Sequence, residues 1–102
     1  MPRDVHTIDL TPTAFESVTV PDSATALTAA TRKAKKAVFI TVETAQVRYR
    51  MDGSDPTSSV GHLLNKSGSL YISNQTAIEN IRFIRTGTVS GVLRVTYYGA
   101  IT

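Results

Sequence analysis

Hydrophobic and polar positions in this chain alternate far more often than they recur at helical spacing. From Gln46 to Met51, the residues Val47, Tyr49 and Met51 share one side while Gln46, Arg48 and Arg50 share the other. A period of two marks a strand with one buried face. Phe15 to Val20 splits the same way, with Phe15, Ser17 and Thr19 opposing Glu16, Val18 and Val20. Two further segments are apolar on both sides. In Val38 to Glu43, Phe39 opposes Val38, Ile40 and Val42. In Val92 to Tyr98, Leu93, Val95 and Tyr97 oppose Val92, Arg94, Thr96 and Tyr98. Val5 to Leu10, Leu70 to Ile72 and Ile81 to Arg85 read as shorter strands.

Turn chemistry separates these runs. Pro21-Asp22-Ser23, the long stretch from Asp52 to Gly61, and Lys66-Ser67-Gly68 break the pattern. Thr44-Ala45 is expected to close a hairpin between the strands on either side of it, and Thr86 to Gly91 another. Ala24 to Ala30 is ambiguous: Asp22 or Ser23 could cap a helix, but Thr25, Thr28 and Thr31 disfavour one. A strand pairing back on Ser17 to Val20 is the favoured reading, followed by a basic loop or single helical turn over residues 31–36. Asn74 to Asn80 has room for one helical turn, with Asn74 as cap and Ile78 facing inward.

Short strands punctuated by turns every ~8–14 residues predict an all-β fold, either a β-sandwich or a jelly roll. The expectation is a single domain of seven to eight short antiparallel strands over residues 14–102, with an extended N-terminal arm over residues 1–13. A small two-sheet domain should leave one face of each sheet wet. The two-sided strands therefore imply that something covers an outer face, either the arm or another subunit.

Composition supports the β reading, since 39 of the 102 residues are Val, Ile, Thr, Tyr or Phe. The chain has no cysteine, which excludes disulfides, thiol catalysis and thiolate metal sites. It also makes the cytosol the easier compartment. No apolar run approaches the ~20 residues of a membrane span, and Met1 to Leu10 lacks the apolar stretch of a signal peptide. The net charge of +3 and pI near 9.5 are mildly basic. The cluster Arg32-Lys33-Ala34-Lys35-Lys36 reads as a solvated loop, with an acidic or phosphate-bearing partner as the alternative.

Catalytic motifs are not evident. His6 and His62 lie far apart with no metal-ligand spacing. Asp52-Gly53-Ser54-Asp55 lacks the ligand pattern and closing glutamate of an EF-hand, and turn chemistry explains it more simply than a bound cation. Glu16, Glu43 and Glu79 form no paired-carboxylate pattern. Arg48 and Arg50 share a strand face, with Arg82 and Arg94 expected on neighbouring strands, a pattern suited to cross-strand ion pairs or to carboxylates on a partner. For a sugar- or receptor-binding groove the tyrosines are the candidates, but Tyr49 and Tyr97 point inward by alternation, leaving Tyr71 and Tyr98. Nucleic-acid binding is not expected, because no interleaved aromatic platform accompanies the arginines.

One series of residues carries a family resemblance. Val42-Glu43-Thr44-Ala45, Val47-Arg48-Tyr49-Arg50, Asp52-Gly53, Pro56-Thr57, Gly61-His62-Leu63-Leu64 and Ile81-Arg82-Phe83-Ile84-Arg85 follow one another in the last two-thirds of the chain. This series resembles the small β-sandwich structural proteins of tailed bacteriophage virions. The resemblance implies a non-enzymatic virion component assembled in the host cytoplasm. A head decoration (cement) protein comes first, with a neck or tail accessory protein as the alternative. Its implied partners are the major capsid protein or neighbouring virion subunits and further copies of itself, a trimer being favoured; it implies no cofactor and no membrane. The expected interface residues are Val5, Ile8 and Leu10 of the arm, Phe39, Val92 and Tyr98 for apolar burial, and Arg48, Arg50 and Arg94 for pairing with acidic groups.

Overall fold

The computed structural model describes residues 10–100 as ten elements. Strands β1 (Leu10–Val20), β3 (Ala37–Glu43), β6 (Ser69–Ile72) and β8 (Gly91–Ala100) form one antiparallel sheet, sheet A, in the order β1-β8-β3-β6. Strands β2 (Thr25–Ala26), β4 (Val47–Arg50), β5 (His62–Leu64) and β7 (Arg82–Arg85) form sheet B in the order β2-β7-β4-β5. Two short helices, α1 (Ala29–Arg32) and α2 (Gln75–Asn80), connect strands. β1 runs through the arm-to-domain boundary anticipated at residues 13 and 14, with a bulge between Pro12 and Ala14. Val5 and Ile8 lie outside the described residues.

Alternation decides which side chains fill the core. From sheet A come Val38, Ile40, Val42, Leu93, Val95 and Tyr97, all essentially inaccessible to solvent; from sheet B come Val47 and Phe83. Leu27, Ile78 and Ile81 close the ends. Asn74 caps α2 by accepting the Ala77 N–H at 2.9 Å, which turns Ile78 into the core as its place in the helix predicts.

Three expected pairings are corrected. β3 and β4 do not form a hairpin across Thr44-Ala45: β3 pairs with β6 and β8, whereas β4 pairs with β5 and β7. The connection is a three-residue turn in which the Ala45 N–H donates to the Glu43 carbonyl at 2.9 Å and Thr44 adopts a φ of 78°. Such a tight turn tips the chain from one sheet to the other. A two-residue hairpin favours Gly or Asn at its positive-φ positions, which this dipeptide lacks. β7 and β8 likewise belong to different sheets, so Thr86 to Gly91 spans the gap between sheets. The segment from Thr25 pairs with β7, not with Ser17 to Val20, and stops after two residues. Its Thr28 starts α1, so the helical turn falls earlier than residues 31–36.

Gly91 shows how closely the sheets approach. A Cβ there would lie 2.6 Å from both the Ala45 carbonyl oxygen and Val47 Cγ1, so only glycine fits where β8 passes beneath the β3–β4 turn.

Candidate functional site: the outer face of sheet A

Register places one side chain from each strand of sheet A in a single row across its outer face. Phe15 on β1 pairs with Thr96 on β8, Thr96 with Phe39 on β3, and Phe39 with Tyr71 on β6. The strand neighbours of these residues point into the core, so all four side chains face outward. Phe15 is 63% exposed, Phe39 39% and Tyr71 55%. Large apolar side chains scattered singly on a surface are ordinary, but three aromatics in one row form a patch.

The rows on either side set the charge of this face. Ser17, Arg94, Thr41 and Ser69 form the next row by register. Arg94 donates from Nε and Nη2 to Glu43 at 3.2 and 3.1 Å, and from Nη1 to the Ser17 hydroxyl at 2.5 Å. Its charge is thus matched on the same face. Val92 lies beyond it, beside Glu43, and Tyr98 lies on the opposite side beside Ala37 and Pro12; both are half-buried.

Sheet B presents a different outer face. Arg48 and Arg50 on β4 stand beside Ile84 and Arg82 on β7, with Leu63 across from Arg48 on β5. Arg48 donates from Nε to the Ser58 carbonyl at 3.1 Å and from Nη1 to the Gly61 carbonyl at 2.8 Å, pinning the loop that precedes β5. Arg82 donates from Nη1 to the Glu79 and Ile81 carbonyls at the end of α2, where a cation also suits the helix dipole. Arg50 grips Asp52 through two parallel hydrogen bonds of 3.1 and 2.5 Å. That fork holds the Asp52 carboxyl below its usual range, helped by the Ser54 N–H, and raises the Arg50 guanidinium. Among the described residues Arg48 and Arg82 have carbonyl acceptors, so the outward positions of the sheet B strands themselves carry three arginines and no carboxylate.

Two depressions are open to solvent. One of about 600 Å³ is lined by Arg50, Met51, Asp52, Val60, Gly61 and His62. The His62 ring there leans on Tyr49, ring centroids 5.4 Å apart. The other, about 410 Å³, is lined by Leu10, Lys36, Ser73, Asn74 and Gln75. No three His, Asp or Glu side chains converge among the described residues. Glu16 links three elements. Its carboxylate accepts the Tyr97 phenol and both the hydroxyl and N–H of Thr28, tying β1 and β8 to the start of α1. Burial, and then the Glu16 carboxylate, pushes the Tyr97 phenol far above its ordinary pKa. This is a brace: the phenol is wholly buried and reaches no open surface.

Of the residues expected at an interface, Phe39, Val92, Arg94 and Tyr98 share the outer face of sheet A, and Leu10 opens β1 at the second depression. Arg48 and Arg50 stand on the other sheet. Arg82 and Arg94, expected on neighbouring strands, lie in different sheets. Phe15 and Tyr71 were not among the expected interface residues. Their signal lay in the alternation, which put Phe15 on the same side as the solvent-seeking Ser17 and Thr19. No family model, curated protein or solved structure matches the chain.

Proposed function

We propose that this chain is a non-enzymatic structural subunit that works by docking the outer face of sheet A on other protein subunits, and that its setting is a virion, with capsid decoration the first role. The aromatic row of Phe15, Phe39 and Tyr71 carries the docking reading, because a patch of this kind marks a protein–protein contact. The virion setting is supported by the resemblance of residues 38–98 to phage structural proteins. It is also supported by the strand orders β1-β8-β3-β6 and β2-β7-β4-β5, which follow the scheme of an eight-stranded jelly roll. That architecture recurs in viral capsid domains. It is shared with lectins and enzymes too, so the architecture is analogy and the docking face is the physical argument. A decoration subunit adds contacts between shell proteins, which needs a rigid body and exposed apolar anchors, not catalytic groups.

Virus particles purified from cells that encode the chain provide the test, with its copies counted by quantitative mass spectrometry against the major shell protein. A ratio near one is expected for decoration of the whole shell. A ratio of a few per cent would move the role to the neck or tail. Absence from the particle would overturn the virion setting.

A further inference from the structure

We propose that the aromatic face of sheet A is occupied by the same face of a second copy, two chains packing sheet to sheet about a two-fold axis roughly parallel to the strands. This rests on the reading of that face as a docking surface and names its occupant.

Three observations select a second copy. The first is charge. The outward positions of the four strands of sheet A carry one arginine and one glutamate, and these pair with each other. A copy of this face is therefore not repelled. Sheet B shows the opposite: Arg48, Arg50 and Arg82 against a single paired Asp52 would set guanidinium against guanidinium in a like-to-like contact.

The second observation is shape. Across the sheet the row reads Phe15, Thr96, Phe39, Tyr71, that is, large, small, large, large. A two-fold axis parallel to the strands reverses that order in the facing copy. Phe39 of each chain then meets Thr96 of the other, filling the recess between two aromatics, while Phe15 of each meets Tyr71 of the other. The contact is isologous, as a closed dimer requires. In the adjoining row the same reversal sets Arg94 over Thr41 and Ser17 over Ser69, so no like charges meet.

The third observation is area. Strand spacings of ~4.8 Å and rises of ~3.3 Å per residue give the four strands a plan area of roughly 450 Å² per copy. Projecting aromatics raise the accessible area above this plan. The total for two copies falls near the ~1,000–1,200 Å² at which specific interfaces begin. The dimer is therefore reversible on dilution.

Because the chain has no cysteine, single cysteines can report the register through a thiol-specific cross-linker. Facing sheets pack ~10 Å apart, beyond the ~7 Å that a disulfide bridges, so a short bis-maleimide is used; the two copies of Phe15 are offset by a further three strand spacings, ~14 Å, and lie out of its reach. The Phe15→Cys and Tyr71→Cys variants are treated with it separately and as a mixture, and the wild-type mass is followed by light scattering over a dilution series. The expected results are twice the 11.0 kDa chain mass at high concentration, a cross-linked dimer in the mixture, and none from Phe15→Cys alone. Phe39→Glu, at an exposed position, is expected to stay at the monomer mass with unchanged circular dichroism. A wild-type monomer at all concentrations, a trimer, or efficient self-linking of Phe15→Cys would each overturn the proposed pairing. If the wild type is monomeric but Phe39→Glu is still excluded from particles, the dimer fails and the docking face stands. If Phe39→Glu changes neither mass nor incorporation, both fail.

Discussion

Tyr97 and Glu16 show how a single polar contact is retained inside an apolar core. The phenol is wholly buried, and its hydroxyl has an acceptor only because β1 and β8 pair in register. Tyr97→Phe is expected to lower unfolding free energy by about 1.5 kcal/mol, the range for a hydrogen bond to a charged group, read from a denaturant midpoint. The pH dependence follows from the raised phenol. Below about 10, the ordinary tyrosine value, both folded and unfolded chains keep the proton and the stability is in full. Above it the unfolded chain ionises first, so stability falls with rising pH. Between pH 9 and 11 the wild type should lose more stability than Tyr97→Phe, and equal losses would remove the phenol from this role. At Gly91 the constraint is steric. Gly91→Ala is expected to cost about 1–3 kcal/mol, because backbone and Val47 must give way to the added methyl. A thermal melt within error of wild type would show that the two sheets can part there at little cost.

At the scale of elements, the alternating pattern showed which side of the strands faces the core, except at Met51, which was expected beside Val47 and Tyr49 but lies past the end of β4 and is exposed. Val47 and Tyr49, Leu93 and Val95, and Val38 and Ile40 all point where the period of two places them. What the pattern does not carry is the identity of the pairing partner. β3 and β4 are adjacent in sequence and equally strand-like, yet the tight turn with positive φ at Thr44 leads from one sheet to the other. The same gap hid part of the aromatic face. Phe39 and Tyr98 were legible from two-sided strands, but the row joining Phe15, Phe39 and Tyr71 exists only once register is fixed across four strands. Arg48 illustrates the converse: its position on an outer face was legible, whereas its grip on the loop was not. Arg48→Lys loses the planar fork that reaches two carbonyls at once. Amide hydrogen exchange over residues 52–61 is expected to quicken severalfold with little change in global stability. Unchanged exchange would mean that the loop holds itself, through the reciprocal Thr57 and Val60 hydrogen bonds.

For the whole molecule, the two outer faces differ in kind. Sheet A offers aromatic surface with balanced charge, and sheet B offers arginines whose hydrogen bonds go to the chain's own carbonyls and to Asp52. A subunit built this way can present one face to a copy or a neighbour while the other stays hydrated and repels its like, which limits uncontrolled stacking. Held together by one small core, the fold relies on no disulfide, and assembly on the aromatic face would add to its stability by mass action.

The most direct measurement is the occupancy of purified particles by wild-type chain and by folded Phe39→Glu, assembled side by side and counted by mass spectrometry. Full occupancy by the wild type, with at least tenfold loss for the variant, is the expected result, since a carboxylate buried without a partner costs well over the ~1.4 kcal/mol that separates tenfold affinities. Equal occupancy by the two chains would contradict the claim that sheet A is the docking face.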